Sequence, residues 1–450
     1  MIKKMKEKLL KNELTKKIVF NSSWMMAQNI YSMIIGIFVT AIVSRFYGPE
    51  GYGTINYVIA FVGIFSGLAV FGTNHIAIKD FTQKKYPKEK VFGTILIIRI
   101  IFSLIVFVVS QTIMFIIFPN DHTLQIITLL FNIKTVVSCF DIITYYANSK
   151  INNKLISKLK IVSLTIFSVL KVLCVILQLN IVFLAGTYLV EAVIYSLLLL
   201  LSKNKIDSND KFGKLIFDKV YAKEVIKQSK YYALASIMVT IYLKIDQVML
   251  GSMLPNKEIV GIYSAAVVIA EMWVFIPNAI ISTIKPLIIS YKEESKEKYL
   301  FNLQKLYYII SIINFIFVAL MILFGKLAIY ILYGNKYITA YIPMCIILVG
   351  ITFGVLGNIH YIWMICEKKE KYSTFYSFFG CFSNIIINAL LIPKYGMIGA
   401  AIATLISQIM SNVVAFLFFK DAKILSKMLL KSLNIIKGIK VLESDRAKYE

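Results

Sequence analysis

Apolar residues run along this chain in long uninterrupted segments rather than in short alternations. A helix needs roughly 20 apolar residues to cross a hydrocarbon core about 30 Å thick. Twelve segments meet that length: 18–41, 52–73, 91–117, 123–147, 158–179, 181–201, 229–250, 259–284, 303–324, 338–365, 373–391 and 396–419. Pro49, Pro87, Pro119, Pro255, Pro286 and Pro393 fall between segments and Pro343 near the start of one, so only Pro277 should kink a helix from inside. A charged stretch, residues 203–230, divides the twelve into six and six. The pattern predicts an all-α integral membrane protein with twelve transmembrane helices in two six-helix lobes. The expected domains are an N-terminal lobe over 1–202 with a basic N-terminus, a cytoplasmic hinge over 203–230, a C-terminal lobe over 231–419 and a basic tail over 420–450.

Composition agrees. The chain is 58% hydrophobic and 16% charged, with mean hydropathy +0.75. A soluble domain is nearer 45–50% apolar and about 25% charged. The net charge of +25 would suit nucleic acid or an anionic membrane surface. Its distribution decides between them: of 49 Lys and Arg, 40 fall on alternate connections and both termini, five on the opposite side and four inside segments. Such a bias is a topology signal that places both termini and the hinge in the cytoplasm. No nucleic-acid partner is expected. The N-terminus has no cleavable-signal pattern, which predicts an uncleaved first helix. In the tail, Ile424, Leu425, Met428, Leu429, Leu433 and Ile436 recur at helical spacing among lysines, as in a helix lying on an anionic leaflet. Phe212, Leu215, Ile216 and Val220 suggest the same for the hinge. The five cysteines are scattered and suggest neither disulfide nor metal.

Polar residues inside the segments are phased. In the fourth, Lys134, Ser138, Asp141, Tyr145 and Asn148 follow a 4-3-4-3 spacing that keeps them on one helix face. The third gives Arg99, Ser103 and Ser110, and the sixth gives Thr187, Glu191 and Tyr195. The eighth gives Ser264, Glu271 and Asn278. Stripes without charge are read as helix-packing contacts: Asn29, Ser32, Gly36 and Thr40; Asn56, Gly63, Gly67 and Asn74; Ser373, Ser377, Asn384 and Asn388. Stripes with a full charge point to a cavity, because an ionised group in hydrocarbon costs several kcal/mol. The alternative is that the charged groups pair across helices as structure. His75 and His360 are read as interfacial, and Arg45 lies at an outer mouth where it can snorkel.

Motifs of soluble catalysis are absent. There is no GxxxxGK[ST] loop, no HExxH, no Gly-x-Ser-x-Gly elbow and no paired Cys/His set. The expectation is a protein without catalytic residues, metal or cofactor.

Residues 44–72 contain an Arg-x-x-Gly-Pro-Glu-x-x-Gly turn as Arg45, Gly48, Pro49, Glu50 and Gly53. The second half opens with IDQVMLG, holding Asp246 and Gly251, followed by VGIYSAA from Val260. Near the end stands KYGMIGAAIATLISQ, residues 394–408. In these four motifs and their order, the chain resembles the Wzx-type polysaccharide flippases. Their superfamily also holds the MATE exporters and the lipid II flippases. YGTINYVIAF and VGIYSAAVVI occupy corresponding places in the two halves, in keeping with two MATE-like lobes related by a pseudo-twofold about the membrane normal.

The resemblance implies alternating access that carries an undecaprenyl-pyrophosphate-linked repeat unit of O-antigen, capsule or exopolysaccharide across a bacterial inner membrane. The implied partners are the lipid-linked oligosaccharide, membrane lipids, a coupling proton or sodium ion, and polymerase or assembly proteins. A MATE-type drug or cation antiporter, a lipid II-type flippase and a membrane polymerase are the alternatives. An antiporter would favour an acidic cavity, and a polymerase a large outer loop that this chain does not have. On this reading Arg99, Lys134 and Lys171, with Arg45, are the candidate pyrophosphate ligands. Asp246, Glu271, Asp141 and Glu191 are the candidate ion-coupling carboxylates, with a structural pair to Lys244 as the alternative for Asp246 and Glu271.

Overall fold

A computed structural model describes residues 13–207 and 212–446. The basic segment before residue 13, hinge residues 208–211 and the last four residues lie outside it. The described residues form helices and no strands. Lipid offers no hydrogen-bond partners, so a spanning backbone has to satisfy its own, which a helix does. Helix α1 spans Glu13–Val70, α2 Thr73–Gln83, α3 Lys88–Ile117 and α4 His122–Val137. A 3-10 turn, Ser138–Asp141, joins α4 to α5, Ile142–Ser149. Then come α6 Asn153–Ile176, α7 Ile181–Ser202, α8 Lys219–Met253, α9 Glu258–Met272, α10 Phe275–Glu294 and α11 Lys296–Tyr333. The last are α12 Tyr341–Cys366, α13 Lys371–Ile409, α14 Lys423–Ser432 and α15 Ile435–Arg446. Ten helical stretches among the described residues are long and apolar enough to span a membrane. Sharp kinks at Gly48 (φ 68°, ψ 178°) in α1 and Gly396 (φ 53°, ψ −130°) in α13 split two of them, giving twelve segments. Both φ values lie where only glycine is unstrained.

The prolines behave differently from expectation in three places. Pro49 and Pro393 sit inside kinked helices, directly beside or just before the glycine that absorbs the bend. Pro286 lies within α10, which runs ten residues past the expected end of its segment. Pro277 does mark a break, but the break falls at Trp273–Val274. Pro277 itself is the third residue of α10, in a first turn that needs no amide donor.

The chain divides into two compact units, Met1–Tyr47 with Val58–Thr240 and Gly48–Tyr57 with Ile241–Glu450. In the first unit, Ile95, Ile142 and Ile143 are fully buried beside Phe92 and Tyr146. Part of the hinge straps onto this core. Ile216 N–H donates to Glu89 O (3.2 Å), and Asp218 N–H to Thr94 Oγ1 (3.1 Å). A Cβ on Gly93 would stand 2.6 Å from Ile216 O, so only glycine admits the strap there. Asp218 caps α8 by accepting from Tyr221 N–H and pairs with Lys90 at 2.7 Å. The Lys90 ammonium and that amide hold the Asp218 carboxyl below its usual range. Phe212, expected on the membrane surface, instead packs on Phe92 and Tyr146. Leu215, Ile216 and Val220 remain exposed.

In the second unit, the stretch after the Gly48 kink lies against the start of α9. A Cβ on Gly53 would stand 1.9 Å from Lys257 O, and one on Gly261 2.0 Å from Pro49 O. This contact explains why residues 48–57 group with 241–450. The tail also differs from expectation. Leu425, Met428 and Leu429 are buried, Ser426 donates to Val413 O (2.7 Å), and Gln304 donates to Met428 O (3.1 Å). Half of the expected lipid-facing row therefore packs on protein, where each apolar side chain contributes about 1.5–3 kcal/mol. Leu433 and Ile436 stay exposed. His360 is not interfacial: it is fully buried between Tyr307 and Phe416. His75 is exposed and stacks on Tyr232.

The glycine contact is open to measurement. Gly261→Ala is expected to cost about 1–3 kcal/mol or more by overpacking against backbone that cannot yield. Gly186→Ala, which meets nothing within 4 Å, should be neutral or stabilising. Thermal melting of the two variants in detergent checks this; equal melting temperatures would remove the contact from the account.

Candidate substrate cavity

The first unit contains a cavity of about 300 Å³. One wall is the second half of α1, with small and apolar residues from Ile59 to Val70. The opposite wall is polar and is assembled from the two charged stripes. Arg99 and Ser103 come from α3, and Lys134, Ser138, Asp141 and Tyr145 from the α4–α5 segment. That segment changes from α to 3-10 geometry in its middle. Ser138 Oγ donates to Lys134 O (2.9 Å) and Thr144 Oγ1 to Asp141 O (2.6 Å), which occupies carbonyls at the change of winding.

Arg99 is 2% exposed. Its Nε donates to Thr73 Oγ1 at 2.8 Å, and its guanidinium carbon lies 5.0 Å from the Tyr145 ring centroid. Its Nη2 is buried with no hydrogen-bond partner. A buried donor left unpaired costs about 1–3 kcal/mol, and more when charged. Lys134, half-buried, holds Nζ 5.3 Å from the ring centroids of both Phe131 and Tyr188. Lys171 does not line the cavity. It sits behind Tyr188, donating to its hydroxyl (2.9 Å) with Nζ 4.1 Å from the Tyr188 and Phe167 ring centroids. Tyr188 therefore carries an ammonium group near its ring from each of two lysines. Glu191 is also off the cavity wall, within electrostatic reach of both lysines. Among the described residues, no carboxylate pairs with Arg99, Lys134 or Lys171 within 4.0 Å. Arg45 is exposed on α1 and is not on the cavity wall.

The structure thus brings Arg99, Lys134 and Asp141 together, sets Lys171 and Glu191 one ring away and leaves Arg45 apart. Sequence reasoning missed Thr73, Cys139 and Tyr188. Thr73 follows the left-handed Gly72, and a Gly-Thr pair opening a short helix was its one available signal. Cys139 lines the cavity beside Ser103, with Sγ 3.2 Å from Oγ. Tyr188 precedes Glu191 by three residues and Tyr195 by seven, so the 3-4 spacing that puts it on their face of α7 was the available signal.

The second unit holds a separate polar cluster around Asp246, which is 8% exposed. Its Oδ1 accepts from Asn388 Nδ2 (2.6 Å), and its Oδ2 from Tyr263 (2.7 Å) and Thr404. Asn388 Nδ2 also donates to Asn384 Oδ1 (3.1 Å), and Asn388 Oδ1 is buried without a partner. The stripe of Asn384 and Asn388, expected as packing contacts, is instead the lining of a carboxylate site. Lys244 makes no ion pair with Asp246 among the described residues. Glu271 is exposed at the end of α9, beside the Trp273–Val274 break and within electrostatic reach of Lys244.

Comparison with known proteins gives four findings. A family model described as polysaccharide biosynthesis protein matches residues 18–292. The chain is 24% identical over 421 residues to the capsular polysaccharide biosynthesis protein CapF of Staphylococcus aureus, covering 90% of this chain and 99% of that one. Its fold is similar to the lipid II flippase MurJ in an inward closed conformation, with TM-score 0.68, 16% identity and coverage of 93% and 92%. An inward-facing MATE multidrug resistance transporter of the MOP superfamily gives TM-score 0.65, 15% identity and coverage of 89% and 96%.

Cys139 reports on the cavity's field. With the other four cysteines replaced by serine, a negatively charged methanethiosulfonate should modify Cys139 on the order of tenfold faster than a positively charged one of equal size. Arg99→Gln should shrink that ratio. A ratio of one or below would show that the cavity is not electropositive.

Proposed function

Because the chain belongs to the polysaccharide biosynthesis protein family, we propose that it carries an undecaprenyl-pyrophosphate-linked oligosaccharide repeat unit across the bacterial cytoplasmic membrane. It does so by alternating access, with both termini in the cytoplasm, as a carrier that makes and breaks no bond of its substrate. The observation that carries this reading is the unpaired Nη2 of Arg99, set beside Lys134 in a cavity at membrane depth. A pyrophosphate matches this arrangement: the guanidinium offers a planar fork and the ammonium a point charge. Inside the apolar segments of this unit, Arg99, Lys134 and Lys171 stand against two carboxylates, Asp141 and Glu191. The anion that completes the balance comes from outside the protein. A cation or drug antiporter would be served by the opposite balance. The product would pass to polymerase and assembly proteins on the outer side.

Export tests the site directly. Arg99→Ala and Lys134→Ala should abolish surface polysaccharide while the proteins accumulate normally, and Arg99→Lys should keep part of the function. On a purely structural role the alanine variants would fail to accumulate, and Asp141→Ala with them. Stable alanine variants with full export would eliminate the site.

Coupling to a proton or sodium ion is assigned to Asp246 or Glu271. Asp246 is the better supported of the two: a buried carboxylate beside the unpaired acceptor Oδ1 of Asn388 presents oxygens to a small cation. Asp246→Asn should leave the protein folded and remove the dependence of export on the ion gradient. If that variant and Glu271→Gln both retain the dependence, neither carboxylate couples the ion.

A further inference from the structure

A further cation of the first unit, Lys160, lies within electrostatic reach of Asp141 and Glu191. Lys160 lies on α6, where Ser157, Ser163, Phe167, Ser168, Lys171 and Cys174 are buried, and Ser163, Phe167, Lys171 and Cys174 follow spacings of 4, 4 and 3. Lys160 precedes Ser163 by three residues and Lys171 by eleven. Eleven residues advance about 16 Å and return to within about 20° of the same direction. Lys160 therefore lies on α6's inward face, one turn in from the buried Ser157, and is itself exposed. Ser163 Oγ donates to Glu191 O (3.3 Å), so this face lies against the part of α7 that carries Glu191. Asp141 and Glu191 both lie within electrostatic reach of Lys160, yet among the described residues no carboxylate pairs with it within 4.0 Å. Lys158 contrasts with it. Two residues away it points about 200° around the helix, with Nζ 5.4 Å from the Trp24 ring centroid.

We propose that Lys160 is a further binding residue, which holds the phosphate charge of the lipid-linked substrate at the cytoplasmic end of the cavity's cation row. The inference rests on the substrate reading above. From Lys160 the charge passes inward to Arg99 and Lys134. Asp141 and Glu191 attract the ammonium without closing an ion pair, so it stays on the inward face with donors free for an anion. Arriving phosphate meets a cation before it reaches hydrocarbon depth, which spreads the desolvation of the headgroup over two stages.

The test uses the full-length protein in membranes, with Cys139 as its single cysteine and inorganic pyrophosphate as the probe. The quantity read is the pyrophosphate concentration that halves the rate of Cys139 modification. Lys160→Gln should raise it about tenfold, Lys160→Arg should restore it, and Lys158→Gln should leave it unchanged. Export should fall in Lys160→Gln and recover in Lys160→Arg. Equal protection in Lys160→Gln and Lys158→Gln would overturn the role of Lys160 while leaving the substrate reading intact. Absence of protection by pyrophosphate in the unsubstituted cavity would sink both.

Discussion

A guanidinium inside a membrane helix bundle has to be solvated, paired or supplied with a ligand, and Arg99 is only partly provided for. Thr73 takes Nε and Tyr145 offers its ring, but Nη2 has nothing. The surrounding architecture is arranged around this deficit. The α1 wall is small and apolar, which leaves room for a headgroup beside the cation and offers no competing acceptor side chain except Ser66. The α4–α5 segment changes winding where Ser138, Cys139 and Asp141 enter the cavity, keeping Lys134 and Tyr145 on the same wall. Replacing one cation by a neutral group would change the charge that the cavity can hold, and with it the ligand.

The two units solve different electrostatic problems. The cavity wall of the first sets Arg99 and Lys134 against Asp141, and among the described residues neither cation pairs with a carboxylate within 4.0 Å. The second buries one carboxylate, Asp246, among neutral donors from Tyr263, Thr404 and Asn388. A buried ion held by dipoles alone responds to a small counter-ion more readily than one already held in a salt bridge. Unpaired cavity cations in one unit and a buried carboxylate in the other are what the proposed carrier of an anionic lipid, driven by an ion gradient, would need.

Much of this was legible in the sequence because membranes impose few patterns. Segment length and the 4-3-4-3 run from Lys134 to Asn148 follow from helix geometry and lipid thickness alone. Where legibility stopped, the cause was a contact between distant residues. Periodicity places Leu425, Met428 and Leu429 on one face but does not say whether lipid or α11 and α12 will cover it. It puts Asn384 and Asn388 on one face too, and only the approach of Asp246 turns a packing stripe into a carboxylate site. Pro49 and Pro393 read as breaks because proline usually ends helices, yet Gly48 and Gly396 take up the bend. Thr73 carries no periodic signature, since it contributes one well-placed side chain at the start of a short helix.

The central claim is that this cation cavity moves a pyrophosphate-linked sugar across a bilayer. Purified protein in liposomes containing undecaprenyl-pyrophosphate-linked oligosaccharide tests it most directly, with an impermeant glycosidase added outside and the fraction of sugar cleaved followed in time. The account predicts that the protected inner-leaflet fraction becomes accessible with the protein present, and stays protected with Arg99→Ala or with no protein. Protection that persists with the intact protein under an imposed ion gradient, or that Arg99→Ala relieves equally well, would contradict it.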